Sequence, residues 1–120
     1  SQVRLSDGSG LTSMNLVSPL TFTRILQFMR RSPHYADWAA GLPRAGQSGT
    51  LAKRFIGTPL DGRVLAKTGT TGLASTLSGY IFTERGDTLI FSIQANHHSA
   101  PDRLVKTRID SLVVAMAAGK

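Results

Sequence analysis

Two runs in the second half of the chain alternate polar and apolar residues across a very short connection, and this pattern constrains the fold more than any other feature. Ser75 to Thr83 reads Ser-Thr-Leu-Ser-Gly-Tyr-Ile-Phe-Thr, and Asp87 to Asn96 reads Asp-Thr-Leu-Ile-Phe-Ser-Ile-Gln-Ala-Asn. A period of two marks half-buried strands. Glu84-Arg85-Gly86-Asp87 is too short to cross over a sheet, so the two strands must be antiparallel neighbours in a hairpin. Residues 63–68 read as a third strand. Ser99-Ala100-Pro101-Asp102 then resembles a helix start, with Val105, Ile109, Leu112, Val113 and Met116 on one face and Gly119-Lys120 past the end. This helix, expected over about 101–118, should lie across the sheet.

The first half has a helical period. Asp7-Gly8-Ser9-Gly10 reads as a turn, and Ser18-Pro19 as N-cap and first helical residue, where the missing proline N–H costs nothing. Leu20, Ile25, Leu26 and Met29 continue an apolar stripe until Ser32-Pro33 breaks it. Helices are expected over about 18–31 and 33–40, the second carrying Tyr35 and Trp38 and stopped by Gly41-Leu42-Pro43. Arg44 to Gly62 reads as loop with one helical turn around Leu51 to Phe55. The strands are expected over about 63–68, 75–83 and 87–96. The fold class expected is α+β: a three-strand antiparallel sheet flanked by helices.

Composition narrows the function. A chain of 120 residues buries about two thirds of the surface it exposes when unfolded, and 41% hydrophobic residues suffice for a core. With no Cys, thiolate catalysis, disulfides and cysteine-zinc sites are excluded. No apolar run approaches the roughly 18 residues of a membrane span. Ser1 to Leu5 lack a basic start and a following apolar core, so no signal peptide is expected in this chain, which can begin inside a longer protein. The net charge of +7 comes from 14 Lys and Arg against 7 Asp and Glu. These cations are scattered, and Phe28, Tyr35 and Trp38 fall at helical spacings that read as core packing, so no nucleic-acid partner is expected. His97-His98 would point to opposite faces of a strand, and His34 reads as a surface residue at a helix start. Neither a metal nor an organic cofactor is expected. A phosphate loop is excluded because Ala66 stands where that motif needs Gly before Lys67.

Lys67-Thr68-Gly69-Thr70, at the end of a predicted strand, is the sharpest chemical feature. An acyl-transfer enzyme that binds substrate along a sheet edge needs a cation for a carboxylate, a hydroxyl beside it, and then a residue without Cβ where the substrate backbone approaches. Lys67, Thr68 and Gly69 meet these needs in order.

Four separated blocks extend that feature. Ala66-Lys67-Thr68-Gly69-Thr70-Thr71-Gly72 with Ser75-Thr76-Leu77-Ser78-Gly79-Tyr80, Ser6-Asp7-Gly8-Ser9-Gly10-Leu11 with Asn15 and Ser18-Pro19, Leu42-Pro43-Arg44-Ala45-Gly46, and Gly49-Thr50-Leu51 with Arg54 together resemble the D-alanyl-D-alanine carboxypeptidase/endopeptidase family, the low-molecular-mass penicillin-binding proteins of class C type. The resemblance covers nearly the whole chain and implies that residues 1–120 are the C-terminal portion of a penicillin-binding, transpeptidase-like domain in the periplasm or extracytoplasmic envelope. It implies a catalytic strand Lys67, Thr68, Gly69 and Thr70. Lys67 and Thr68 would meet the substrate carboxylate, while Thr70 would lend its N–H to the oxyanion hole and its hydroxyl to the carboxylate. Leu11 would line the cleft rim with Ser13, which stands where relatives often carry Arg, a departure that bears on recognition of a charged substrate side chain. Implied partners are the peptidoglycan stem peptide, β-lactam antibiotics, and the N-terminal remainder of the same protein or a second copy.

The family's nucleophile lies in a Ser-x-x-Lys motif, and no Ser here has Lys three residues on. Thr50-Leu51-Ala52-Lys53 only imitates it, because that block is a loop before the Lys-Thr-Gly strand. Ser13-Met14-Asn15 matches Ser-x-Asn on paper but reads as a decoy, since the resemblance puts the functional copy upstream; Asn15 reads as a turn or cap. The chain alone is expected to be inactive. The rival expectations are a serine β-lactamase or esterase of the same fold, and a non-catalytic basic envelope-binding module.

Overall fold

The computed structural model describes residues 3–4, 16–17, 19–70, 74–96 and 101–119. A two-residue pair, β1 (Val3–Arg4) and β2 (Leu16–Val17), runs antiparallel with Val3 opposite Val17. Then come α1 (Pro19–Arg31), α2 (Tyr35–Ala40), a 3₁₀ turn at Gly49–Leu51, β3 (Val64–Thr70), β4 (Ala74–Phe82), β5 (Thr88–Asn96) and α3 (Asp102–Ala118). The β1/β2 pair is absent from the sequence reading, because two-residue strands carry no period to detect.

The three long strands form one antiparallel sheet in the order β3-β4-β5, with β4 central. The β4/β5 turn is tied by Thr83 N–H to the Asp87 carbonyl (2.9 Å) and Asp87 N–H to Thr83 Oγ1 (3.0 Å). Register assigns every side chain to a layer. On one face the cross-strand rows Val64–Ile81–Leu89 and Ala66–Gly79–Phe91 pack against Val105, Ile109 and Val113 of α3. On the other, the row Leu65–Tyr80–Ile90 packs against Leu26 of α1 and Tyr35 and Trp38 of α2. Helices therefore cover both faces. Burying side chains such as Leu77 and Ile81 contributes about 2 kcal/mol each.

Gly79 explains how closely β3 and β4 approach. It faces Ala66, and a Cβ there would stand 2.1 Å from the Leu65 carbonyl oxygen and 2.5 Å from Ala66 Cα. Only a residue without a side chain fits.

Helix faces differ in part from the periodic stripes. In α1 the inward residue is Leu26, with Phe22 and Met29 half-buried, whereas Leu20 and Ile25 are largely exposed and Phe28 is 72% exposed, so Phe28 is not a core residue. In α3 the buried line is Val105, Ile109 and Val113, while Leu112 and Met116 stand on an exposed shoulder. A single sheet covers a narrower arc of a helix than the full apolar stripe, which leaves the flank in solvent. The turn expected at Leu51 to Phe55 lies two residues earlier, because Ser48 Oγ accepts the Arg44 N–H and Gly46 N–H donates to the Leu51 carbonyl.

Candidate active site

β3 is an edge strand whose outer side is covered along only half its length. Ala45 N–H donates to the Val64 carbonyl (2.9 Å), and Ala66 N–H donates to the Pro43 carbonyl (3.0 Å), so the segment around Arg44 lies along the edge like a short extra strand. That cover stops at Ala66. Because peptide groups alternate along a strand, Thr68 and Thr70, like Val64 and Ala66, turn their N–H and C=O away from β4. Among the described residues no strand lies on that side beyond Ala66. β3 continues through Thr70, two residues past its expected end, with Gly69 opposite Thr76 and Thr70 opposite Ser75. Lys67, Thr68, Gly69 and Thr70 thus share one regular, open edge. Lys67 is exposed, and its Nζ donates to the Thr68 carbonyl (2.5 Å), which brings the ammonium to that edge.

The sheet surface changes character at the same point. Beside the apolar row Leu65–Tyr80–Ile90 come the rows Lys67–Ser78–Ser92 and Gly69–Thr76–Gln94, which carry hydroxyl, amide and ammonium groups and no large apolar side chain. Ser78 and Ser92 hydrogen-bond through their hydroxyls at 2.7 Å. The sheet is dry beneath α1 and α2 and polar beside Lys67.

A residue that sequence reasoning did not select also belongs here. Thr50 Oγ1 lies 2.8 Å from Thr68 Oγ1, eighteen positions away in the chain. The loop that delivers it is fixed in shape by several contacts. Gly46 adopts φ 71°, and the Asp61 carboxylate occupies the space of its absent Cβ, 2.1 Å from that position. Arg44 Nη1 donates to the Gly62 carbonyl (2.9 Å), and its guanidinium stands over the Phe82 ring, 5.9 Å from the centroid. The available signal was the closely spaced pair Gly46 and Gly49, which marks a shaped turn ahead of the strand.

The other predicted residues divide in two. Leu11, Ser13, Asn15, the Asp7 to Gly10 turn, His97 and His98 lie outside the described residues, although the pairing of Arg4 with Leu16 joins the two ends of the segment that holds Leu11 and Ser13. His34 is exposed at the N-terminal cap position of α2, where its side chain makes no capping hydrogen bond. Among the described residues no three His, Asp or Glu side chains come together as a metal site. A groove of about 840 Å³ lies elsewhere, between the 53–58 segment and α3, and the Arg54–Asp110 ion pair is in its wall.

The sequence matches the profile of the D-Ala-D-Ala carboxypeptidase 3 (S13) family over residues 1–118. It is 43% identical over 118 residues to a D-alanyl-D-alanine carboxypeptidase of Actinomadura sp. (strain R39), covering 94% of this chain and 21% of that protein. The fold resembles the crystal structure of penicillin binding protein 4 of Haemophilus influenzae, with a TM-score of 0.76 and 33% identity over 83% of this chain and 22% of that one; that protein has also been solved in complex with a novel β-lactam. The fold is likewise that of the Bd0816 predatory endopeptidase of Bdellovibrio bacteriovorus, with a TM-score of 0.83, 24% identity, and 98% of this chain covered against 33% of that one. The chain spans about a fifth of the length of the curated relatives it matches. The hairpin, the open edge strand carrying Lys67 and the glycine-shaped loop beside it are, then, parts of a peptidase fold, and the chain belongs to the D-Ala-D-Ala carboxypeptidase 3 (S13) family.

Proposed function

We propose that this chain supplies the substrate-binding strand of a serine-type D-Ala-D-Ala carboxypeptidase/endopeptidase that cleaves peptidoglycan stem peptides through an acyl-enzyme in the extracytoplasmic envelope. The observation that carries the reading is the open half of β3, beginning where the Pro43 to Ala45 cover ends and bearing Lys67, Thr68 and Thr70. A peptide laid along that edge can pair with the outward amides of Thr68 and Thr70. Its terminal carboxylate meets the Lys67 ammonium and the Thr68 hydroxyl by charge-assisted hydrogen bonds. Thr70 N–H is a donor for the oxygen that gains charge when the scissile carbonyl becomes tetrahedral, a role typically worth about 3 kcal/mol of barrier. The nucleophilic Ser comes from a segment bearing Ser-x-x-Lys, which these 120 residues do not contain. The β-lactam complex of the Haemophilus influenzae relative supports a β-lactam as a second ligand of the complete protein.

The reading is tested by Lys67→Ala in the complete polypeptide that joins this segment to one bearing Ser-x-x-Lys. Labelling by a fluorescent penicillin should fall at least a hundredfold with the unfolding midpoint unchanged. Undiminished labelling would overturn the role of the strand, and a wild-type protein that takes no label would favour a non-catalytic binding module.

A further inference from the structure

We infer that Thr50 is a positioning residue for Thr68: its hydroxyl donates to Thr68 Oγ1 and so leaves the single Thr68 proton free for the substrate's terminal carboxylate. The inference rests on the reading of β3 as the carboxylate-binding strand and adds a residue to it. A hydroxyl has one proton and two lone pairs. In the pair at 2.8 Å, one oxygen donates and the other accepts. A carboxylate only accepts, so binding it to Thr68 requires Thr68 to be the acceptor from Thr50. The resulting chain, Thr50 to Thr68 to carboxylate, polarises each hydroxyl in the same direction and strengthens both bonds.

The geometry is built for this. Thr50 sits on the 3₁₀ turn Gly49–Leu51, held by the Gly46 N–H to Leu51 carbonyl bond (2.9 Å) and by Ala52 N–H to the Gly49 carbonyl (3.2 Å). The same loop is fastened to β3 through Ala45 and Ala66. Loop and strand therefore hold the two oxygens in contact. Thr50 is exposed and makes no contribution to the apolar core, so an apolar isostere removes the hydroxyl without opening a cavity.

The experiment uses the complete polypeptide and two substrates, an N-acylated peptide ending in D-Ala-D-Ala and its C-terminal amide, which presents no carboxylate. Thr50→Val should lower the acid-to-amide ratio of kcat/KM about tenfold, with the loss carried by KM for the acid, and Thr50→Ser should restore it. Thr68→Val reports on the underlying reading. If Thr68→Val collapses the acid preference while Thr50→Val keeps the wild-type ratio, or slows acid and amide equally, the positioning role is overturned and the strand reading stands. If Thr68→Val leaves the acid preference intact, the strand reading falls and the role of Thr50 falls with it.

Discussion

Tyr80 carries more of the fold than its place in a strand rich in Ser and Thr suggests. Its ring is fully buried, edge-on to Tyr35 (5.7 Å between centroids, 82° between planes) and Trp38 (5.9 Å, 90°), and its hydroxyl donates to the Leu26 carbonyl of α1 (2.5 Å). Burial, reinforced by Tyr35 and opposed by Arg30, pushes the phenol up from 10.0 to about 12. The fold favours the protonated form, so this stabilisation is fully present below pH 10 and is lost as the pH rises from about 10 to about 12. The whole effect is worth roughly 3 kcal/mol. Tyr80→Phe should cost about 1 kcal/mol at pH 7 through the lost hydrogen bond and should flatten the alkaline decline, as read by urea unfolding at several pH values. The aromatic spacing in the sequence pointed to Tyr35 and Trp38 as packing residues, and both are. It pointed equally to Phe28, which faces solvent, because periodicity cannot tell which part of a stripe a neighbour will cover.

At the scale of elements, the hairpin and the closing helix were legible because each depends on residues near in sequence. The contacts that join elements were not. Arg54 forms a two-point ion pair with Asp110 of α3, Nε to Oδ2 at 3.0 Å and Nη2 to Oδ1 at 2.5 Å, with both side chains mostly buried. Nothing local in the sequence connects positions 54 and 110. Asp110→Ala should lower the unfolding free energy by about 3 kcal/mol, because it strands a guanidinium in a half-dry wall, whereas Arg54→Met with Asp110→Leu should recover most of the loss. Thermal unfolding of the three proteins checks this. The β3/β4 pairing makes a second prediction. Gly79→Ala drives a Cβ into the backbone of Leu65 and Ala66, which no rotamer relieves. It should cost about 3 kcal/mol or more and should raise amide hydrogen exchange in β3 before α1.

For the whole molecule, several of the arginines behind the charge of +7 also make contacts within the fold. Arg30 lies over the Tyr35 ring (4.8 Å), Arg44 over Phe82, Arg54 is paired with Asp110, and Arg63 donates to the Phe82 carbonyl (3.3 Å). These arginines serve the fold. Large apolar side chains are also exposed: Leu20, Ile25 and Phe28 on α1, and Ile56, Leu104, Leu112 and Met116 on and beside α3. Exposed apolar faces on both outer layers favour association. The 120-residue chain by itself should therefore self-associate in a concentration-dependent way by light scattering, and Leu112→Gln with Met116→Gln should reduce the effect. A strictly monomeric chain across that range would count against it.

The residues alone determined the two periods, the hairpin, the position of Lys67-Thr68 at the end of a strand, and blocks specific enough to identify the family. Each is a property of one segment, set by side-chain alternation and turn chemistry. Tertiary structure decided where the cover on β3 ends, which side of each apolar stripe is dry, and that Thr50 meets Thr68. Those outcomes depend on how separate segments pack against one sheet, and the sum of many small contacts between distant residues leaves no local mark in the order of the amino acids.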